Sequence, residues 1–272
     1  MHVSALLASA ISLGLLLTIA QPQAHGQERQ WYSVSVYHLN SNESAELFDK
    51  TFAEAIVPGM KRQGIHPVGV FEPVNLAKDN KEEDNNSAKP TLPKRYVIYP
   101  LTSPAQLATI TDSLGNDQDF LEKAKTYLNV SKDDAVYSRV ETSLLHAFEG
   151  MPQLAVSKTD GDDRRLFELR VYESHSEMKG KLKVEMFNKG EIELFKEVGL
   201  DAVFFGEAVA GPSLPNLTYM LVYKDEAHRK EVWGNFLSSP TWDEMKSNPR
   251  YNGTVSNIIS QHMKPLSYSG IQ

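Results

Sequence analysis

Leu166-Phe-Glu-Leu-Arg-Val-Tyr172 alternates strictly, with Phe167, Leu169 and Val171 on one face and Glu168, Arg170 and Tyr172 on the other. That period of two is a β-strand. The strand has a counterpart in the first half of the chain, at Tyr32 to Tyr37. Tyr37, Phe52, Gly64 and Glu72 recur as Tyr172, Phe187, Gly199 and Glu207, a constant offset of 135 residues. Leu47, Val57 and Val68 find Leu182, Ile192 and Val203 at the same distance. Solenoid repeats run roughly 20–50 residues. An offset this long means two copies of one small domain.

The second copy reads outward from its first strand. From Lys181 to Val198, Val184, Phe187, Leu194, Phe195 and Val198 fall at helical spacing, and Gly199 stands where a helix ends in positive φ. Ala202 to Glu207 and Thr218 to Tyr223 are strands, rich in aromatic and β-branched residues. Asp225 caps a second helix carrying Trp233 and Leu237, and Val255 to Met263 is the last strand. The order is β-α-β-β-α-β, the ferredoxin-like arrangement. The first copy repeats it with strands at Tyr32–Tyr37, Pro67–Glu72, Tyr96–Tyr99 and Val136–His146, and helices over Ser44–Arg62, Pro104–Leu114 and Asp119–Leu128. Asn75 to Pro93, charged and nearly free of apolar residues, reads as a mobile surface loop.

A four-stranded sheet with helices on one face leaves the other face bare, and two such sheets in one chain hide those faces against each other. The predicted fold is α+β: two fused ferredoxin-like domains forming one dimeric-α/β-barrel-type arrangement. The domain plan is an apolar leader over 1–26, a first domain over 27–149, a linker over 150–164 and a second domain over 165–272.

The leader is apolar from Val3 to Ala20, and Ala24-His25-Gly26 supplies small residues at −3 and −1, so a signal peptide is expected, with a secreted or periplasmic product beginning at Gln27. The alternative is an uncleaved membrane anchor, since about 18 apolar residues can just span a bilayer; after cleavage no integral membrane span is expected. The net charge of −7 and the absence of a basic cluster argue against nucleic acid as a partner. With no cysteine, thiolate metal sites and a Cys nucleophile are excluded. Fusion of the two copies points to a monomer or weak homodimer.

The second copy resembles the NIPSNAP family. The residues that carry the resemblance are Phe167-Glu-Leu-Arg-Val-Tyr172, Lys181-Leu182, Leu194-Phe195 with Gly199, and Tyr219-Met-Leu-Val-Tyr223. They continue through Ala227-His228-Arg229, Trp233, Phe236, Pro240-x-Trp242 and Gln261 to Pro265. The first copy looks like a degenerate version that keeps Tyr37, Gly64 and Tyr99. The resemblance implies a dimeric α+β barrel and little chemistry, since the family has no settled catalytic residues. Some eukaryotic relatives act as adaptor-like proteins.

Sites follow from the faces of the strands. If the apolar Phe167, Leu169 and Val171 lie under the helices, then Glu168, Arg170 and Tyr172 face the space between the sheets. There they would join Phe204, Tyr219, Tyr223, Tyr37 and Tyr99 around a small, partly apolar ligand. The plainer expectation for Glu168 and Arg170 is a satisfied ion pair, and for the aromatics ordinary core. For catalysis the weak candidates are His228, Arg170 and Tyr172; the plainer role of His228 is helix capping. His146 and His262 close the two last strands at places read as equivalent, and single histidines without spaced partners make no metal site. No metal and no cofactor are expected. The leading function is ligand binding between the sheets; the alternatives are a monooxygenase-like or haem-handling enzyme and an adaptor.

Overall fold

The computed structural model describes residues 28–76, 92–156 and 165–272. The signal-peptide expectation, most of the Asn75–Pro93 loop and the second half of the linker lie outside them. The first copy runs β1 (Trp31–Leu39), α1 (Asn42–Thr51), a π turn (Phe52–Ile56), α2 (Val57–Arg62), β2 (Gly69–Pro73) and β3 (Lys94–Leu101), then α3 (Pro104–Gly115), α4 (Gln118–Lys123), α5 (Lys125–Leu128) and β4 (Tyr137–Ala147). The second runs β5 (Leu166–Glu173), α6 (Glu177–Met186), a π turn (Phe187–Glu191), α7 (Ile192–Val198), β6 (Asp201–Ala210) and β7 (Asn216–Tyr223), then α8 (Glu226–Leu237), α9 (Pro240–Ser247) and β8 (Asn257–Pro265).

The repeat reaches into details that no hydrophobic pattern carries. Both copies place a π turn at the same offset, Phe52–Ile56 and Phe187–Glu191. Both end the helix at a glycine with positive φ, +75° at Gly64 and +84° at Gly199. A side chain there would meet strain from its own Cβ. Ser41, Ser103, Ser176 and Asp225 cap α1, α3, α6 and α8 through their side-chain oxygens, which explains where those helices start.

The eight strands close into an antiparallel barrel in the order β1-β3-β2-β8-β5-β7-β6-β4. Each copy contributes four neighbouring strands, and the seams are β2 with β8 and β4 with β6. Closure leaves three apolar layers. One lies between the first sheet and its helices around Phe48, Phe52 and Val97. Another lies between the second sheet and its helices around Phe187, Phe195 and Phe205. The third fills the barrel, with Tyr32, Val34, Phe71, Ile98, Phe167, Leu169, Phe204, Met220 and Met263.

This reverses the faces expected from the sequence. Phe167 and Leu169 point into the barrel, whereas Tyr172, Tyr219 and Tyr223 pack beneath α6–α8 and Tyr37 and Tyr99 beneath α1–α5. Of the residues expected to line the interior, Phe204 alone does so. The physical reason is that both faces of the strands β3, β5 and β7 are largely buried. The interior is walled by strands on every side and is filled by apolar side chains, while the helix-covered layer has polar helix side chains available to pair with buried polar groups.

One end of the barrel is plugged. The segment after β8 turns back along β2: Leu266 N–H donates to Val70 O, Val70 N–H donates to Ser269 Oγ, and Ile271 enters the interior. Leu154 packs against the same layer while the Ala155 N–H donates to Val203 O. The other end splays. There β4 pairs with β6 only over Leu144–Ala147, and β8 with β2 only over Met263–Pro265. Among the described residues, no helix is long and apolar enough to cross a membrane.

Candidate functional site

Two polar sites flank the second sheet, one on each face. The first is a buried network between β5, β7, β8 and helix α8. Glu168 is 1% exposed. Its Oε1 accepts from Arg170 Nη1 and from Ser260 Oγ at 2.6 Å, and its Oε2 accepts from Tyr223 OH at 2.7 Å. Trp233 Nε1–H donates to Tyr223 OH at 2.7 Å. Arg170 also lies 4.6 Å over the Trp233 ring and 5.6 Å from that of Tyr172, which accepts a hydrogen bond from Tyr219 OH at 2.8 Å. Burial pushes the Glu168 carboxyl up, but the Arg170 charge and the three donors outweigh it and hold it below the usual range. Beside this network Lys183 and Glu191, both almost fully buried, pair at 2.6 Å beneath Phe187 and Trp242. Desolvation pushes the Glu191 carboxyl up against the pull of Lys183.

The structure therefore brings Glu168, Arg170, Tyr172, Tyr219 and Tyr223 together, in a layer packed solid with aromatic rings. Sequence reading missed Lys183 and Glu191, which look like surface residues of an amphipathic helix. The first copy lacks all of this. At the equivalent positions it has Ser33 and Ser35 for Glu168 and Arg170, and Phe48 and Ile56 for Lys183 and Glu191. His228 stands apart at the start of α8, where its N–H caps onto Asp225 at 2.8 Å and its ring meets the edge of Tyr223 at 6.4 Å. His146 stacks on Trp31 at 4.3 Å, while His262 lies 3.9 Å from Glu168. They are not equivalent, because the register pairs Ser33 with Leu144 and Glu168 with His262, making Leu144 the counterpart of His262. Among the described residues no group of three or more metal-ligating side chains converges.

The second site is a cavity of about 180 Å³ at the splayed mouth of the barrel. Strand register shows that its walls come in pairs. Val36 faces Tyr96 and Glu141, as Val171 faces Thr218 and Ile259. Val34 faces Ser143 as Leu169 faces Gln261. The cavity thus straddles the axis that relates the copies, with aliphatic pairs at its base and unlike polar groups at its sides. The β6–β7 turn leans over the rim through Pro212 and Ser213. It does so because Gly211 has φ +135° and passes so close to β4 that a Cβ would lie 2.7 Å from Ser143 Oγ and 2.9 Å from its Cα. Ser213 itself holds φ +57°, an uncommon conformation for a serine. A further groove of about 260 Å³ runs beside α6, spanned by the 2.6 Å Lys181–Glu207 ion pair. The mouth cavity differs in being walled by both copies.

A family model described as NIPSNAP matches residues 167–270. The second copy is a NIPSNAP domain. Its motif residues Glu168, Arg170, Tyr223 and Trp233 are the ones that build the buried network. The whole two-copy fold is similar to that of a candidate monooxygenase from Lactobacillus acidophilus NCFM, at 12% identity and TM-score 0.53 over 88% of this chain and 94% of that one. A second candidate monooxygenase, from Fusobacterium nucleatum, aligns with TM-score 0.55 at 11% identity over the same shares, 88% and 94%. A NIPSNAP-like domain protein from Burkholderia xenovorans aligns over 40% of this chain and 90% of its own, at 17% identity and TM-score 0.36. At these identities the two full-length likenesses establish a shared dimeric α+β barrel fold. No curated protein sequence matches the chain significantly.

Proposed function

We propose that this NIPSNAP-domain protein binds a small, partly apolar molecule in the mouth of its barrel. One observation carries the reading: the space between the sheets is filled at one end by Ile271 and Leu154 and left as a cavity at the other. Apolar walls with a few convergent polar groups are the usual make-up of a ligand site. The volume is below the ~300–1,000 Å³ of drug-sized pockets, which restricts the ligand to a compact molecule. The buried network beneath α8 then serves as the foundation of the site's wall, since β5 and β8 present Glu168, Arg170 and Ser260 to the helices and Leu169, Val171, Ile259 and Gln261 to the cavity. We place the protein outside the cytoplasm, on the strength of the apolar stretch from Val3 to Ala20 and the small residues at Ala24 and Gly26. We expect a monomer, because each sheet meets its partner within the chain.

Native mass spectrometry of the protein purified from its own source tests the reading. The expected result is an added mass on the wild type that is missing from a folded Val171→Trp variant, whose indole fills the cavity. An unadorned wild type, or a variant that retains the mass, would overturn it.

A further inference from the structure

The hydrogen-bonding state of the mouth cavity says what kind of head group it accepts. This inference rests on the cavity reading above and goes further, to the charge of the ligand. Most of the donors in the wall are taken up within it. Asn216 Nδ2 donates to Pro212 O and Ser213 O at 3.2 and 3.1 Å. Thr218 Oγ1 donates to Asn216 Oδ1 at 3.2 Å, and Gln261 Nε2 donates to His262 O at 2.8 Å. The Tyr96 hydroxyl points to Gln261 Oε1 at 3.4 Å. Beside the hydroxyls of Ser143 and Ser213, which can donate or accept, what the wall offers a guest is acceptors: the Glu141 carboxylate, the outer lone pair of Gln261 Oε1 and the Tyr96 oxygen.

Among the described residues of the lining, Glu141 is the one charged side chain and there is no cation. Its neighbours at the rim are His38, with Nε2 2.9 Å from Oε2, and Arg139, with Nη1 3.4 Å from Oε1. The Arg139 side chain is 67% exposed, so its hold on Glu141 is that of a weak, solvent-screened surface pair. A carboxylate has about four lone-pair sites, so Glu141 keeps acceptor capacity toward the cavity. The His38 hydrogen bond, with help from Arg139, holds its carboxyl below the usual range, so it is ionised at neutral pH. Beside it stands the Tyr96 ring, a face that attracts cations. Val34 and Val36 lie beside these groups on β1, and Leu169, Val171 and Ile259 come from the second sheet; together they give the body of the guest an apolar bed.

We infer that the ligand is a small organic ammonium ion, a protonated amine on an apolar body, with its N–H groups directed at Glu141 and Tyr96 and its carbon skeleton on the paired valines. A carboxylate ligand would meet Glu141 with no cation among the described residues of the lining. The cavity corresponds to about six water molecules at ~30 Å³ each, so the body is about the size of one aromatic ring and a short chain.

Isothermal titration calorimetry at neutral pH and low salt tests this with three probes of similar size: 2-phenylethylamine, 2-phenylethanol and 3-phenylpropionate. The expected result is that the amine binds about tenfold more tightly than the alcohol and the carboxylate more weakly than either. Glu141→Gln should bring the amine down to the alcohol and leave the alcohol unchanged. Arg139→Ala, which removes the competing cation, should strengthen amine binding severalfold. Equal binding of amine and alcohol to the wild type, or a preference for the carboxylate, would overturn the inference while leaving the cavity as a site. A Glu141→Gln variant that loses all three probes equally would also overturn it, because the residue would then be acting on the fold. Binding of none of the three would remove the cavity reading itself.

Discussion

Replacing Glu168 by leucine should be among the most damaging single changes in this protein, and replacing Arg170 along with it should be far milder. Glu168 is 1% exposed and carries the charge that balances Arg170, whose side chain is 16% exposed. Glu168→Leu leaves that guanidinium without its carboxylate and leaves the hydroxyl of Tyr223, a residue 1% exposed, without an acceptor. Ser260 regains water and contributes little, since its residue is exposed. Breaking a buried pair by removing one partner costs about 3–5 kcal/mol. Arg170→Met should fall at the low end of that range, because Glu168 retains two hydroxyl donors and escapes its unpaired charge by taking up a proton. The double variant Glu168→Leu with Arg170→Met replaces both charges by apolar groups in a layer that is already aromatic, and should cost roughly 2 kcal/mol or less. The coupling energy is then about 3 kcal/mol or more. Urea unfolding at pH 7, followed by far-ultraviolet circular dichroism and by tryptophan fluorescence, measures all three. Single variants that each cost under about 1 kcal/mol, or a double variant whose cost equals the sum of the singles, would refute the view that this network is one electrostatic unit.

Three further outcomes follow from the same geometry. Gly206→Ala should cost about 1–3 kcal/mol in thermal unfolding, because the new Cβ falls 2.7 Å from Leu145 Cβ at the seam of β4 and β6. Gly199→Ala should destabilise by about 1–2 kcal/mol, since the site holds φ +84° at the end of α7, and Gly64→Ala should behave alike in the first copy. The Glu168 carboxyl is depressed in the folded state, so its contribution is fully present above the ordinary carboxylate range and is lost as pH falls through its folded value. Melting curves from pH 7 down to pH 3 should therefore drop more steeply for the wild type than for the Glu168→Leu, Arg170→Met double variant.

The repeat was legible because it is written in positions that tolerate few residues. Gly64 and Gly199 end equivalent helices in positive φ, and Phe52 and Phe187 open equivalent π turns, so an offset counted on letters is an offset in space. From the two copies and their strand order the closed barrel followed. The faces of the strands were not legible. Alternation divides Phe167, Leu169 and Val171 from Glu168, Arg170 and Tyr172, but it does not say which set the helices cover when both sets are buried. The assumption that apolar residues go under helices failed because the barrel interior is walled by strands on every side, and its packed apolar side chains are those that alternate opposite the polar set. A cavity lies between the sheets, but none of the eight residues expected to line it does so. Its lining of Val36, Val171, Glu141 and Gln261 depends on register and on where β4 and β8 outrun their neighbours, which no single strand encodes. The Lys183–Glu191 pair was hidden for another reason. Its partners arrive from α9 and β5 through Trp242 and Tyr172, contacts made only after the chain has folded.

The central claim is that the ligand space of this NIPSNAP-domain protein lies between its two sheets and not between the second sheet and its helices. Methyl-labelled nuclear magnetic resonance with 2-phenylethanol as the probe measures this directly. The account predicts saturable shifts at the methyls of Val36, Val171 and Ile259, which line the mouth cavity. Shifts centred instead on Val184, Leu194 and Val232, beneath the helices of the second copy, would contradict it.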